Sequence, residues 1–394
     1  MLHAFEEYER RLHQILANAE YPDPGTPAGR EEIRHRVNRV LRISPAWRPA
    51  IRAETVAVSD AGLFQVETLQ FESWDRIFGY ALWYLPRTLP CPAILINPGH
   101  DAGGKFGYQK MAQILAAGGC AVLLADAFGL GEREYTGHRQ SFRVFDCGTT
   151  VAGLIVLEAL GWLDWLKQNS KVIPEKIGVA GNSGGGQTTT LMCANAPEEF
   201  GLAVCGGFPS SFEFTIRKTR PLCACTMFPG IAGQFEMVHC YAAFAPKPLM
   251  LVNGQADNMF PRDLLLTLKQ NLESFWPEND FTVLVAEGAH SWADDKPRYE
   301  AMANFIFEHF ELPKTTLDKL PESIFPALQK SGPVPENAET IDSLAARLGA
   351  VPLPPMREIY DIFPPEFIPE NSPEPLRKLF AQLELYLEKG VSDS

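Results

Sequence analysis

The chain has 394 residues, with 48 acidic against 35 basic side chains and a formal net charge of −13. It is 46% hydrophobic and 21% charged, an ordinary globular composition that excludes fibrous, collagen-like and disordered chains. The acidic balance, with no cluster of Lys and Arg, speaks against a nucleic-acid partner, and no apolar run approaches the ~18 residues of a membrane span. The N-terminal stretch MLHAFEEYERRLHQIL is too charged for a secretory leader, so a cytoplasmic protein with no membrane partner is expected.

Residues 1–50 read as helix, breaker, helix. Phe5, Tyr8, Leu12, Ile15 and Leu16 recur at helical spacing, YPDPGTPAG interrupts, and a second helix is expected from about Arg30 to Leu41. Residues 51–86 switch to alternating β-branched and aromatic patterning, which predicts sequential antiparallel strands. A βαβα rhythm follows. PAILINPG, CAVLLADAFG, KIGVAGNSGG, LAVCGGF, KPLMLVNG and FTVLVAEG are apolar strands, with helices between them and a closing helix from about Arg298 to Phe310. Runs this apolar fit strands buried on both faces, hence an α/β fold with a mostly parallel central sheet and helices on either side. Beyond Pro313 the texture changes: residues 313–394 hold 13 of the 32 prolines. Helices are expected there at IDSLAARLG and near 374–390. The expected organisation is an N-terminal helical extension (1–50), a catalytic domain (51–312) and a Pro-rich C-terminal extension (313–394). Either extension could serve a homo-oligomer contact.

The eight cysteines are scattered, several inside apolar strands, and reduced buried thiols are expected. Cys223-Ala224-Cys225 is the only close pair, no second pair has zinc-ligand spacing, and His100 lacks an HExxH-type partner, so no metal is expected. No cofactor is expected either.

The strongest chemical signal is Gly181-Asn182-Ser183-Gly184-Gly185, a G-x-S-x-G placed where a strand hands over to a helix. That context holds a serine Oγ clear of the sheet, and the following N–H groups face the anion formed in acyl transfer. The Lys of a phosphate loop is missing. A serine needs a base and an orienting carboxylate, in the order acid then His, each after a strand. Asp257 in VNGQADNMFP and His290 in AEGAHSW stand in those places. The backbone N–H groups of Gly184 and His100 are the expected oxyanion donors. Asp101, Asn182, Phe128, Phe208 and Met259 are the candidates for the substrate pocket. The loop Asp126–Arg133 is expected either to line that pocket or to carry a solvated Glu132–Arg133 pair or a structural salt bridge. Segment 208–246, rich in Phe, Met, Pro and Cys, is a candidate lid or pocket wall.

Together, NPGHDAGGK, DAFGLGERE, IPEKIGVAGNSGGGQTT, CACTMFPGIAG, APKPLMLVNGQADNMFP and EGAHSW resemble the acetyl xylan esterase and dienelactone hydrolase-like branch of the α/β-hydrolases, over about residues 51–312. The resemblance implies an α/β-hydrolase fold, a Ser183–His290–Asp257 triad, and hydrolysis of short acyl esters of a small molecule without a cofactor. The Asn-Pro-Gly-His form of the oxyanion loop departs from the commoner His-Gly form. A peptidase or amidase of the prolyl oligopeptidase kind ranks second, because fifty helical residues cannot supply that group's usual β-propeller. A carbon–carbon bond hydrolase on the same triad and a non-catalytic binding protein are the remaining readings.

Overall fold

The computed structural model describes residues 2–101, 103–139, 141, 143–217, 223–276, 280–290, 296–313, 331–349, 383 and 385–387. Nine strands form one sheet: β1 (Arg52–Asp60), β2 (Phe64–Glu72), β3 (Phe78–Pro86), β4 (Cys91–Asn97), β5 (Ala121–Ala125), β6 (Val172–Asn182), β7 (Leu202–Gly206), β8 (Leu249–Gly254) and β9 (Phe281–Ala286). Their order across the sheet is β1-β2-β3-β5-β4-β6-β7-β8-β9. The first three strands are an antiparallel meander joined antiparallel to β5, and every later pairing is parallel.

The helices are α1 (Leu2–Ala17), α2 (Pro27–Leu41), α3 (Gln109–Ala117), α4 (Arg143–Asp146), α5 (Val151–Gln168), α6 (Gly184–Asn195), α7 (Phe212–Ile216), α8 (Met237–Phe244), α9 (Arg262–Leu272), α10 (Lys296–His309) and α11 (Ile341–Leu348). They cover both faces of the sheet, and strand alternation assigns the residues. In β4, Ala93 and Leu95 point into one core while Ile94 and Ile96 point into the other. The core fed by Ile94 lies under α3 and α10. The core fed by Leu95 holds α5, α6 and α8, and also Tyr8 and Leu12 of α1 and Ile33, Val37, Val40 and Leu41 of α2. The N-terminal helices therefore bury their apolar stripes in the same core as the sheet.

Helix α2 starts at Pro27, earlier than the periodicity suggests. Thr26 is its N-cap, accepting at Oγ1 from Gly29 N, and Pro27 occupies the first turn, where its missing N–H costs nothing. IDSLAARL is helical as expected. Most of the helix expected over 374–390 lies outside the described residues; Leu383, Leu385, Tyr386 and Leu387 are buried in the large core. No helix among the described residues is long and apolar enough to cross a membrane.

Candidate active site

The central parallel strands end together, and the site is built on those ends. β6 delivers Asn182 to a turn in which Ser183 has φ 56° and ψ −119°, and α6 begins at the next residue. This backbone is strained for any side chain but glycine, by about 1–3 kcal/mol, and persists because its surroundings hold it. Ser183 N–H donates to Gly206 O of β7 at 2.9 Å, and Ser183 O accepts from Gln187 N at 2.9 Å. The turn also presses against the β4 loop. A Cβ on Gly185 would lie 1.7 Å from Asn97 O, so only glycine fits there.

Asp257 follows β8 and His290 follows β9, two strands paired in parallel. His290 Nε2 lies 2.8 Å from Ser183 Oγ, and His290 Nδ1 lies 2.8 Å from Asp257 Oδ2. The other carboxylate oxygen of Asp257 accepts the N–H groups of Met259 at 2.8 Å and Phe260 at 3.0 Å. Burial works to raise the Asp257 carboxyl, but the hydrogen bond with His290 and those two N–H groups outweigh it and hold it below the ordinary range. Phe260 stacks on the His290 ring, centroids 5.7 Å apart. The structure thus joins the three sequence-predicted residues into one hydrogen-bonded chain.

His100 sits in the loop after β4, against the start of α6. Gly99 N–H donates to Tyr108 Oη at 2.7 Å, and Asp101 Oδ1 accepts from Gly103 N at 2.7 Å, so both neighbours brace the loop. The N–H groups of His100 and Gly184 donate to no protein acceptor among the described residues. The His100 side chain turns away towards His138, Nε2 to Nε2 2.9 Å, and towards Cys225 Sγ, 3.4 Å from its Nε2.

The remaining pocket candidates fall into different surroundings. Asn182 is buried and directs its amide nitrogen at His290 O, 3.5 Å away. Met259 is half-buried beside Asp257. Phe208 is buried against Phe212 and Phe260. Phe128 points into the core, under the Arg133 guanidinium at 4.5 Å and near Trp74, with no exposed surface. Within the loop Asp126–Arg133, the solvated Glu132–Arg133 pair does not form and structural ion pairs take its place. Arg133 is fully buried and grips Glu158 of α5 through two bonds of 2.7 and 3.0 Å. Lys105, also fully buried, reaches Asp126 at 2.6 Å and contacts Glu132. Sequence alone could not pair residues 25 positions apart on a loop and a helix.

In segment 208–246 the described aromatic residues are core, apart from the half-buried Phe214. Phe212 packs edge-on to Phe228 and Phe235. Glu236 caps α8, and its two carboxylate oxygens accept Phe212 N at 2.8 Å and Glu213 N at 2.9 Å. Burial pushes Glu236 up to about 7 against the pull of those N–H groups. Its described residues are bonded to both ends of the chain: Tyr8 Oη donates to Ile216 O, Tyr386 Oη to Thr226 O, and Gly230 N to Leu385 O. All eight cysteines are free, with Cys147 and Cys223 half-buried and the others buried. His138 was not singled out in the sequence; its place beside His100, Cys223 and Cys225 arises from three separate loops and leaves no local pattern.

Known proteins share this architecture. Methylesterase BT1017 superposes with a TM-score of 0.62 at 20% identity, covering 87% of this chain and 78% of its own. A glucuronoyl esterase from Solibacter usitatus gives 0.57 at 14% identity (72% and 93% covered). Acetyl xylan esterase 1 from Thermoanaerobacterium sp. JW/SL YS485 gives 0.52 at 15% identity (76% and 98% covered). These likenesses show the α/β-hydrolase fold. In sequence, YtaP of Bacillus subtilis (strain 168), whose name places it only among hydrolases, is 25% identical over 268 residues, 63% of this chain and 88% of YtaP. Residues 107–312, just over half of the chain, match the prolyl oligopeptidase family. The match spans Ser183, Asp257 and His290, and on it the chain belongs to the prolyl oligopeptidase family.

Proposed function

We propose that the protein is a serine esterase that cleaves short-acyl carboxylic esters through an acyl-enzyme. The observation that carries this reading is the unbroken Ser183–His290–Asp257 hydrogen-bonded chain, with Ser183 on a strained strand-to-helix turn. Ser183 Oγ attacks the ester carbonyl while His290 Nε2 takes its proton. Asp257 keeps the Nδ1 proton of His290 in place and balances the imidazolium charge. The tetrahedral oxyanion is held by the N–H groups of Gly184 and His100, which have no other protein acceptor among the described residues. Collapse expels the alcohol, which takes the proton from His290. Water then repeats the sequence on the acyl-enzyme and releases the acid.

The structural neighbours, named as acetyl xylan, methyl and glucuronoyl esterases, support an ester over an amide. Membership in the prolyl oligopeptidase family favours the amide as second reading. Both share the nucleophile and differ in leaving group. Intact-mass labelling with a fluorophosphonate tests the nucleophile: one adduct on the wild type and none on Ser183→Ala. Turnover of p-nitrophenyl acetate, butyrate and octanoate, beside a prolyl p-nitroanilide, tests the substrate class. Fastest turnover on acetate or butyrate is expected. Faster anilide cleavage would move the assignment to peptidase chemistry, and a folded protein that neither labels nor turns over would overturn it.

A further inference from the structure

We propose that His100, His138, Cys223 and Cys225 form a closed Cys2His2 site for one zinc ion beside the oxyanion loop. Four ligand atoms, one from each residue, lie within 4.8 Å of one another. A tetrahedral zinc with ordinary Zn–N and Zn–S bonds sets ligand-to-ligand edges of about 3.3 Å between nitrogens, 3.6 Å between nitrogen and sulfur and 3.8 Å between sulfurs. The observed edges of 2.9 Å between the His Nε2 atoms and 3.4 Å from Cys225 Sγ to His100 Nε2 are already close to that cage.

The second shell points the same way. His138 Nδ1 lies 2.6 Å from Phe128 O. Its proton belongs on that nitrogen, which leaves Nε2 as a lone pair aimed into the cluster, the usual arrangement behind a metal-bound histidine. His138 reaches this place because residue 129 is glycine: a Cβ there would lie 2.3 Å from His138 Cβ. The Cys223–Thr226 turn is fastened by Ala224 N to Arg139 O, and Gln187 of α6 donates to Cys225 O at 2.6 Å. A hydrogen bond between the two imidazoles accounts for the histidine pair alone. It leaves two thiols converging on the same point.

Two imidazoles and two sulfurs without a carboxylate select a borderline-soft, tetrahedral ion, hence zinc over magnesium or calcium. Both thiols give up their protons on binding, so the two thiolates balance the dication. With four protein ligands and no open position, the ion is structural. It would tie three loops together: the β4 loop carrying His100, the loop carrying His138, and segment 208–246. The binding claim stands apart from the esterase reading.

The test is the metal content of untagged full-length protein, purified without chelator and dialysed against metal-free buffer. About one zinc per chain is expected in the wild type and in Ser183→Ala, and less than about one tenth in Cys223→Ser/Cys225→Ser. Cobalt(II) added to the metal-free wild type should give a thiolate-to-cobalt charge-transfer band and the intense visible bands of a tetrahedral ion. Should the double variant fail to fold, wild-type protein decides. Zinc should then protect Cys223 and Cys225 from iodoacetamide, read by peptide mass, while leaving Cys147 unprotected. Equal zinc in the folded double variant would mean an adventitious ion only. Absent zinc with no cobalt spectrum, or a Cys223–Cys225 disulfide in fresh protein, would likewise overturn the site. None of these readouts depends on ester turnover.

Discussion

The triad and the loops that flank it are held by different forces. Ser183, Asp257 and His290 stand just past the ends of β6, β8 and β9, and one continuous parallel ladder spaces them. Lys105 and Arg133, a few residues away in the loops after β4 and β5, are held by buried charge: Asp126 and Glu132 for the first, Glu158 for the second. A sheet keeps its spacing when one end residue is changed. A buried ion pair does not survive the loss of one partner, because the other is left charged and desolvated. Changes at the triad should therefore remove chemistry and spare the fold, and changes at the ion pairs should do the reverse.

A large loss of turnover with the fold spared should come from Asp257→Asn. The amide oxygen can still accept from Met259 and Phe260, but the His290 tautomer is no longer fixed. Turnover of the best p-nitrophenyl ester should fall about 10⁴-fold with the thermal midpoint nearly unchanged. Glu158→Gln should act in the opposite sense, costing about 3–5 kcal/mol in urea unfolding because the Arg133 charge is left buried. The pair Arg133→Met/Glu158→Leu should recover part of that loss. If Glu158→Gln instead cuts turnover as deeply as Asp257→Asn in a protein of unchanged stability, the loop belongs to the chemistry and the contrast fails.

Glu236 gives a smaller effect with a definite sign. Its folded-state value of about 7 lies above the ordinary 4.5, so the folded protein holds this proton more tightly than the unfolded chain. Its contribution is fully present below about pH 4.5 and is lost as pH rises towards 7, at most about 3 kcal/mol. Urea unfolding from pH 4.5 to 7.5 should show that decline in the wild type and a shallower one in Glu236→Gln. An unchanged slope in the variant would assign the decline to other groups. The smallest change in stability is expected from Ser183→Gly, which should raise it by about 1 kcal/mol while abolishing turnover, since glycine adopts φ 56° without strain. A loss of stability would mean that the turn is not strained.

What was legible in the sequence follows the same division. Ser183, Asp257 and His290 each close an apolar run, so strand patterning placed them in order and at one edge of the sheet before any contact was known. The meander 51–86 was readable by its alternation, and the helix over about 150–167 by its strongly apolar composition. Lys105 was not, because a lysine in NPGHDAGGKFGY looks solvated until Asp126 and Glu132 close over it. His138 was invisible for a related reason. Its neighbours His100, Cys223 and Cys225 lie in other loops, and a ligand set assembled from three loops has no spacing to read. Phe128 was expected at the pocket because it follows a strand end, but the Arg133 guanidinium above it turns it inward.

Segment 208–246 is stitched to the rest of the molecule across long stretches of chain. Tyr8 reaches Ile216 over a separation of 208 residues, and Tyr386 reaches Thr226 over 160. Loops of that size are slow to close, and they reward the chain only once both ends have arrived. On the ribosome, all three triad residues will have emerged well before Tyr386 does. Between those moments the segment lacks the hydrogen bonds that Leu385 and Tyr386 make to Thr226, Gly230 and Ala232. Full fastening of this segment is thus a late event in synthesis, timed by Leu385 and Tyr386 and not by Ser183, Asp257 or His290.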